Sequence, residues 1–451
     1  MTITAPPALA GICTYGQGVN PGLSVGETVI RLRRYVYLET QSVFIQAAHF
    51  NGLPEWEVKG AISLHLWQDA EHGTWLRKRV TEMRTPPHNL DKVPDPALET
   101  FTEELKRSHN TAEFLTGLYE VLKPALAAAF REHLAQAHPI ADYPTRRLLR
   151  MALGELEDQI AWGQAALAAL FPEGNPALAW RRHLQTCLEA AGGVNGDLPP
   201  ASPVDPTALR ATEPFETSRV PRRDARFPHV WRSRGELPAD DASVHERIWW
   251  MLNVRLQEMH VSELIAATLS DWKDQPWEMY HELARHLWDE TRHCMLGEIA
   301  FASQGIDFTK IPSHIGFAEY PNLELSPADR YSFLWGIEQS LMTKSGKQAE
   351  VALAKAGEDE LATVFQDFDW ADEVLHAQIG RRWLEPHYGS RENMGEAYTR
   401  VRSAYDEMKA RDLLEPGRNW WPAFYAQYLK HKDAMTGSAP ATPPPADRDG
   451  Y

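Results

Sequence analysis

Cysteine is scarce in this chain, with three in 451 residues, at Cys13, Cys187 and Cys294, far apart and odd in number. That argues against a disulfide framework, and no Cys-x-x-Cys pair offers a thiolate metal site. Long apolar runs are missing too: none approaches the ~18 residues a membrane span requires. The start, MTITAPPALAGICTYGQG, lacks the basic and apolar stretches of a signal peptide. Basic residues are outnumbered, 46 Lys and Arg against 62 Asp and Glu, and the net charge of -16 is spread along the chain. Such a field repels phosphate backbones, so nucleic acid is not an expected partner. Alternating strand patterns are nearly absent, as are the G-x-G-x-x-G and G-x-S-x-G contexts of nucleotide and serine-hydrolase sites. What remains is an all-α protein, expected in the cytoplasm and away from membranes.

Apolar residues recur at three- and four-residue spacing in long segments broken by Gly and Pro. The spacing predicts helices near 25–49, 54–84, 110–138 and 144–171, then near 243–270, 276–304, 327–356 and 359–385, with two more near 391–412 and 419–434. Pro276 and Pro327 suit first-turn positions, and Gly357 suits a helix C-terminus that asks for positive φ. Residues 192–241 are rich in Pro, Arg, Asp and Gly and read as a linker or wrapping arm between a first domain, 1–191, and a second, 242–436. The tail at 437–451, rich in Pro and Ala, reads as disordered. The two halves echo one another. His65-Leu66-Trp67 is followed by Asp69 and His72, and His286-Leu287-Trp288 by Glu290 and His293. Pro-Glu-Trp-Glu at 54–57 parallels Pro-Trp-Glu at 276–278, and Leu118-Tyr119-Glu120 parallels Gly336-Ile337-Glu338. Several matches in one order indicate duplication, hence two tandem four-helix bundles with extra C-terminal helices.

Two strings carry chemistry: Asp289-Glu290-Thr291-Arg292-His293 and Asp372-Glu373-Val374-Leu375-His376. In each, a Glu and a His three residues apart project from one helix face, where they can share a metal ion. One such pair is more often solvated surface. Two, each with another Glu about 32–35 residues upstream, form a far rarer set. Helix rise sorts the partners. Glu338 and Glu373 stand 19 and 16 residues from Gly357, a height mismatch of only ~4–5 Å. By the same measure Glu258 lies within roughly a turn of the height of Glu290, whereas its competitor Glu263 is off by ~12 Å. The expected set is Glu258 (or Glu263), Glu290, His293, Glu338, Glu373 and His376. Four carboxylates and two imidazoles suit two iron ions, with manganese possible. Asp289 and Asp372 are placed to accept the free ring N–H of a ligand His. In the first half, Glu39, Asp69, His72, Glu120 and Glu157 occupy the equivalent positions. Ile160 replaces the second His, and Gln68 and Leu156 replace the supporting Asp residues. That half is expected to be degenerate, holding at most one ion through Asp69 and His72.

The repeated D-E-x-x-H pattern with upstream Glu resembles the ferritin-like di-iron carboxylate superfamily. Its D-E-x-R-H form, Asp289 through His293, is similar to the oxygen-activating branch. The resemblance covers about 243–385 well and the first half weakly. It implies ferritin-like bundles and an O₂-dependent di-iron oxidoreductase of oxygenase, oxidase or desaturase type, acting on a small organic substrate. Glu290, Glu338 and Glu373 would then do the catalytic work beside two irons. The chain shows no obvious reductase domain, so electrons are expected from a separate ferredoxin or flavoprotein or from a chemical cosubstrate, and a monomer or homodimer is expected. The rival readings are an iron-handling or peroxide-detoxifying protein and a non-catalytic scaffold. The many Trp residues near the site helices (Trp249, Trp250, Trp288, Trp335, Trp370) are expected mainly as core. Thr343 to Lys347 reads as solvated surface.

Overall fold

Ser24 and Glu27 open the first long helix with a reciprocal cap. The Ser24 hydroxyl accepts from the Glu27 N–H at 3.3 Å, and the Glu27 carboxylate accepts from the Ser24 N–H at 2.8 Å. From there the computed structural model is mostly helical. It describes residues 6–86, 90–199, 204–212, 214–232, 235–239, 241–410 and 419–436; the expected disordered tail at 437–451 lies outside them. The chain divides into two compact units, Met1–Asp224 with Ser262–Trp288, and Ala225–Val261 with Asp289–Tyr451. Among the described residues the strands are Val230–Trp231 and Ser313–His314, a short parallel pair in the second unit. No helix among them is long and apolar enough to cross a membrane.

The first unit is built on α1 (Val25–His49), α2 (Trp56–Glu82), α3 (Pro96–Lys106), α4, α5 (Tyr143–Leu170) and α6 (Leu178–Ala190). Helix α4 runs as Thr111–Thr116, a π turn over Gly117–Leu122, and Lys123–Gln136. The long helices fall where the apolar period puts them. Helices α3 and α6 are additions; the signal for α3 is Asp95, whose carboxylate caps Ala97 N–H at 2.9 Å, with Pro96 in the first turn. Leu32, Val36 and Val43 on α1 and Ile62, Leu66 and Leu76 on α2 are fully or almost fully buried. Each such side chain contributes about 1.5–3 kcal/mol relative to exposure. Glu39 and Asp69 interrupt these stripes at core-facing positions. The start of the expected linker belongs to this unit: the Arg34 guanidinium donates to the carbonyls of Ala191, Gly193 and Val194 at 2.7–2.9 Å.

Buried His65 makes this unit acid-sensitive. Burial, reinforced by Lys123, pushes its ring down to about 3, and Tyr119 O–H lies 2.6 Å from Nδ1. The unfolded ring takes its proton at ~6.5, so stability is lost as pH falls from there toward 3. By pH 4 the loss is expected to reach about 3 kcal/mol, read by urea unfolding at pH 7 and pH 4. His65→Gln should flatten that dependence; an equal slope in the variant would show that other groups carry it.

The second unit contains α7 (Val244–Gln257) and α10 (Gly316–Glu324) to α15. These last are α11 (Pro327–Leu341), α12 (Lys347–Ala356), α13 (Glu360–Tyr388), α14 (Arg391–Ala410) and α15 (Trp421–Thr436). Helices α8 (Met259–Asp271) and α9 (Trp277–Ser303) carry residues of both units. Three expectations need correction. The helix near 243–270 is broken at Glu258 (φ -69°, ψ -4°). The helix near 327–356 is broken over 342–346, which resets its phase before Lys347. Gly357 does not supply the positive φ: it sits at φ -87°, and Glu358 takes +55° instead. Gly357 is there for space, since a Cβ would stand 2.3 Å from Ile248 Cδ1. The left-handed cap is Gly389, at φ +84° after α13. Trp249 packs as core, its ring 4.6 Å from Tyr428 and 5.0 Å from Phe301.

Candidate metal centre

Each D-E-x-x-H string lies within one helix, α9 or α13, so its Glu and His share a face as the spacing requires. Glu338 comes from the buried side of α11, and Glu258 from the break between α7 and α8. All six residues are buried, none more than 7 % exposed. They assemble as two adjoining groups within the second unit. Glu290, Glu338 and His376 offer donor atoms within 4.8 Å of one another, and so do Glu258, His293, Asp369 and Glu373. Glu290 stands between the imidazoles: its Oε1 lies 3.2 Å from His376 Nδ1 and its Oε2 3.7 Å from His293 Nδ1. His293 Nδ1 also has Asp369 Oδ1 at 3.4 Å and Glu258 Oε2 at 3.5 Å. Ligands about 2.0–2.2 Å from one ion stand roughly 3.0–3.4 Å from each other, so these gaps match donors arranged around a shared cation.

Glu263 does not join them. Its carboxylate, in the first unit, accepts from Lys59 and from Arg223 Nη1 (2.5 Å), and those charges outweigh burial and hold it below the usual range. Helix height had favoured Glu258, and Glu258 is the residue in the group. Asp289 and Asp372 do face imidazoles, but crosswise. His376 Nε2 lies 3.4 Å from Asp289 Oδ2, and His293 Nε2 lies 3.2 Å from Asp372 Oδ2. Each Asp therefore supports the His of the other string. Arg292 ties them, donating to Asp289 and, at 2.8 Å, to Asp372. Asp372→Asn keeps the shape but gives up the negative charge that raises His293 basicity. It is expected to weaken metal binding 10–100-fold with the fold intact, read by chelator competition and circular dichroism. Unchanged affinity would reduce Asp372 to a surface charge.

Three buried participants were not anticipated. Asp369 sits four residues before Glu373 on α13, so the i, i+4, i+7 series 369–373–376 was there to be read. Arg255, three residues before Glu258, pairs with it at 3.0 Å and also donates to Asp369. Lys347, expected at the surface, is almost wholly buried: its ammonium donates to Asp369 at 2.7 and 3.0 Å and lies 3.1 Å from Glu373. The break before α12 turned it inward.

Electrostatics follow from this crowding. Burial pushes Glu258 and Glu373 up. Burial acts the same way on Asp369, but Arg255 and Lys347 outweigh it and hold that carboxyl at about 2. Burial disfavours charge on the imidazoles, yet Asp369 and Asp372 raise His293 well above its ordinary range, and Asp289 and Glu290 raise His376 to about 10. In the forms that bind metal, with both imidazoles neutral and every carboxylate ionised, seven carboxylates (258, 289, 290, 338, 369, 372, 373) face three fixed cations (255, 292, 347). Four negative charges are left, the number two divalent ions neutralise. Buried Glu258 Oε2, Glu373 Oε2 and His293 Nδ1 make no hydrogen bond, as donors reserved for an ion would. The residues fit a pair of divalent metals.

In the first unit the expected positions scatter. Glu120 lies in the π turn, which adds a residue to the helical register, and its carboxylate meets Asn175 (3.2 Å) and Arg181 (3.4 Å). Glu157 pairs with Arg131 at the surface. Only Glu39, Asp69 and His72 come together.

No family model, curated protein or solved structure matches this chain.

A cavity of about 670 Å³ in the second unit reaches Glu258, Glu290, Glu338 and Glu373. Trp250, Met251, Phe317, Phe333 and Ile337 are among its walls. An apolar chamber that ends on convergent carboxylates is the common form of a small-molecule site.

Proposed function

We propose that the second unit is a ferritin-like bundle holding two iron ions, and that the protein is an O₂-dependent oxidoreductase for a small, largely apolar organic substrate. Glu290, with one oxygen toward each imidazole, carries this reading, because a carboxylate so placed can bridge two ions. The cavity supports it against storage or scaffolding, since neither needs a walled chamber of about 670 Å³ beside the carboxylates. Two ferrous ions, when bound, would supply open coordination positions and electrons for O₂ reduction.

The chain's own residues set the conditions. Glu258, His293, Asp369 and Glu373 would hold one ion, Glu338 and His376 the other, with Glu290 between. Asp372 and Asp289 would keep the ring protons on Nε2 and leave Nδ1 for the metal. Arg255 and Lys347 keep the excess negative charge near that of two divalent ions, and the protons that the carboxylates favour on His293 and His376 would leave as metal binds. The apolar walls would exclude bulk water and orient the substrate. Insertion of one oxygen atom into a C–H bond consumes O₂, two electrons and two protons and releases water. The electrons would come from a separate donor protein.

The test is anaerobic loading with ferrous iron, then exposure to O₂ followed by absorbance and Mössbauer spectroscopy. About two irons per second unit, oxidised together by O₂, are expected. A single iron, or two that ignore O₂, would sink the proposal.

A further inference from the structure

The first unit has a buried group that the proposed reaction does not use. Glu39 on α1 and Asp69 and His72 on α2 are each 0 % exposed, and one donor atom from each lies within 4.8 Å of the others. Asp69 is well provided for. Its Oδ2 accepts from Ser42 (2.6 Å), Gln46 (2.7 Å) and Lys123 (2.7 Å), while its Oδ1 accepts from Lys123 alone (2.8 Å). Glu39 is the opposite case: neither of its oxygens takes part in a hydrogen bond. Leaving a buried carboxylate so is costly unless a cation stands against it.

His72 points to where that cation belongs. Its Nε2 lies 2.8 Å from Glu155 Oε2 and donates to it, which directs the Nδ1 lone pair inward. Nδ1 makes no hydrogen bond and faces Glu39 Oε1 across 3.3 Å. A bare Nδ1 and Glu39 Oε1 would repel at that distance, so a positive ion belongs between them, and a divalent metal there makes both atoms ligands. An imidazole that gives one N–H to a carboxylate and presents the other nitrogen is the usual posture of a metal-bound His. The charges agree: Glu39, Asp69 and Glu155 against Lys123 leave two negative charges, those of one divalent ion.

We propose that the first unit binds one divalent first-row metal ion through Glu39, Asp69 and His72. Two carboxylates and an imidazole suit Mn(II), Fe(II) or Zn(II) and give no soft donor for Cu(I). The ion joins α1 to α2 at core positions, so its role is structural and its binding adds to the stability of this unit. The proposal is independent of the oxidoreductase reading.

The experiment uses the full chain, stripped with chelator and reloaded with Mn(II), in a His293→Ala/His376→Ala background that disables the second unit's centre. Metal analysis is expected to give one ion per chain, falling near zero when Glu39→Gln is added. Mn(II) is expected to raise the Tm of the background protein and to leave that of the Glu39→Gln form unmoved. Should the background misfold, Glu39→Gln and His72→Gln in the otherwise native chain must each lose one ion. No ion in the background, as when a proton on His72 does the work instead, overturns the proposal. So does an ion that survives Glu39→Gln. Neither result touches the count in the second unit.

Discussion

Glu290→Ala is expected to empty the second unit's metal centre, taking it from about two ions to less than one. Any other single ligand substitution should cost mainly the ion it serves. Glu290 is the carboxylate with one oxygen 3.2 Å from the His376 ring and the other 3.7 Å from the His293 ring, so its loss removes a donor from both positions. The fold should survive. Glu290 is crowded by like charges, including Glu258 and Glu373, and removing one of several buried carboxylates relieves repulsion in the metal-free protein. Metal analysis with circular dichroism checks both halves of the statement. A folded variant that keeps two ions would show that Glu290 does not bridge.

Lys347→Met should have the largest effect on stability. The ammonium is buried among Asp369, Glu373 and, at 3.9 Å, Glu350. Methionine fills similar space and removes the charge. Breaking a buried ion pair from one side costs about 3–5 kcal/mol, because the remaining charge is left uncompensated. Without metal the variant should lose about that much in denaturant unfolding; a divalent ion should return a large part, since it supplies positive charge to the same carboxylates. If the metal-free variant is as stable as the native chain, then Asp369 and Glu373 have taken up protons, and the ammonium is not what keeps them ionised.

The helices were legible in the apolar period, and so were the six residues of the two Glu–His strings and their upstream partners, because residues three or four apart on a helix stay on one face wherever that helix packs. Glu258 could be chosen over Glu263 by rise alone. Lys347 could not be found that way. Its orientation depends on the break over 342–346, and a change of phase between helices leaves no trace in a periodic pattern. Glu120 was misplaced for a related reason, the π turn beneath it. Asp369 lies outside both five-residue strings, although its four-residue spacing to Glu373 puts it on the same helix face. The crosswise pairing of Asp289 and Asp372 is a tertiary fact, invisible in either string alone.

That crosswise pairing makes the two strings mutually dependent. Asp289 serves His376, Asp372 serves His293, and Arg292 binds both acids. Neither string can drift by mutation while the other keeps its function, and a lesion in one is felt first in the neighbour. Substitutions at Asp289, Arg292 and Asp372 should therefore be strongly non-additive in double-mutant cycles. In a lineage descended from this chain, the two motifs would be inherited or lost as a single hereditary unit.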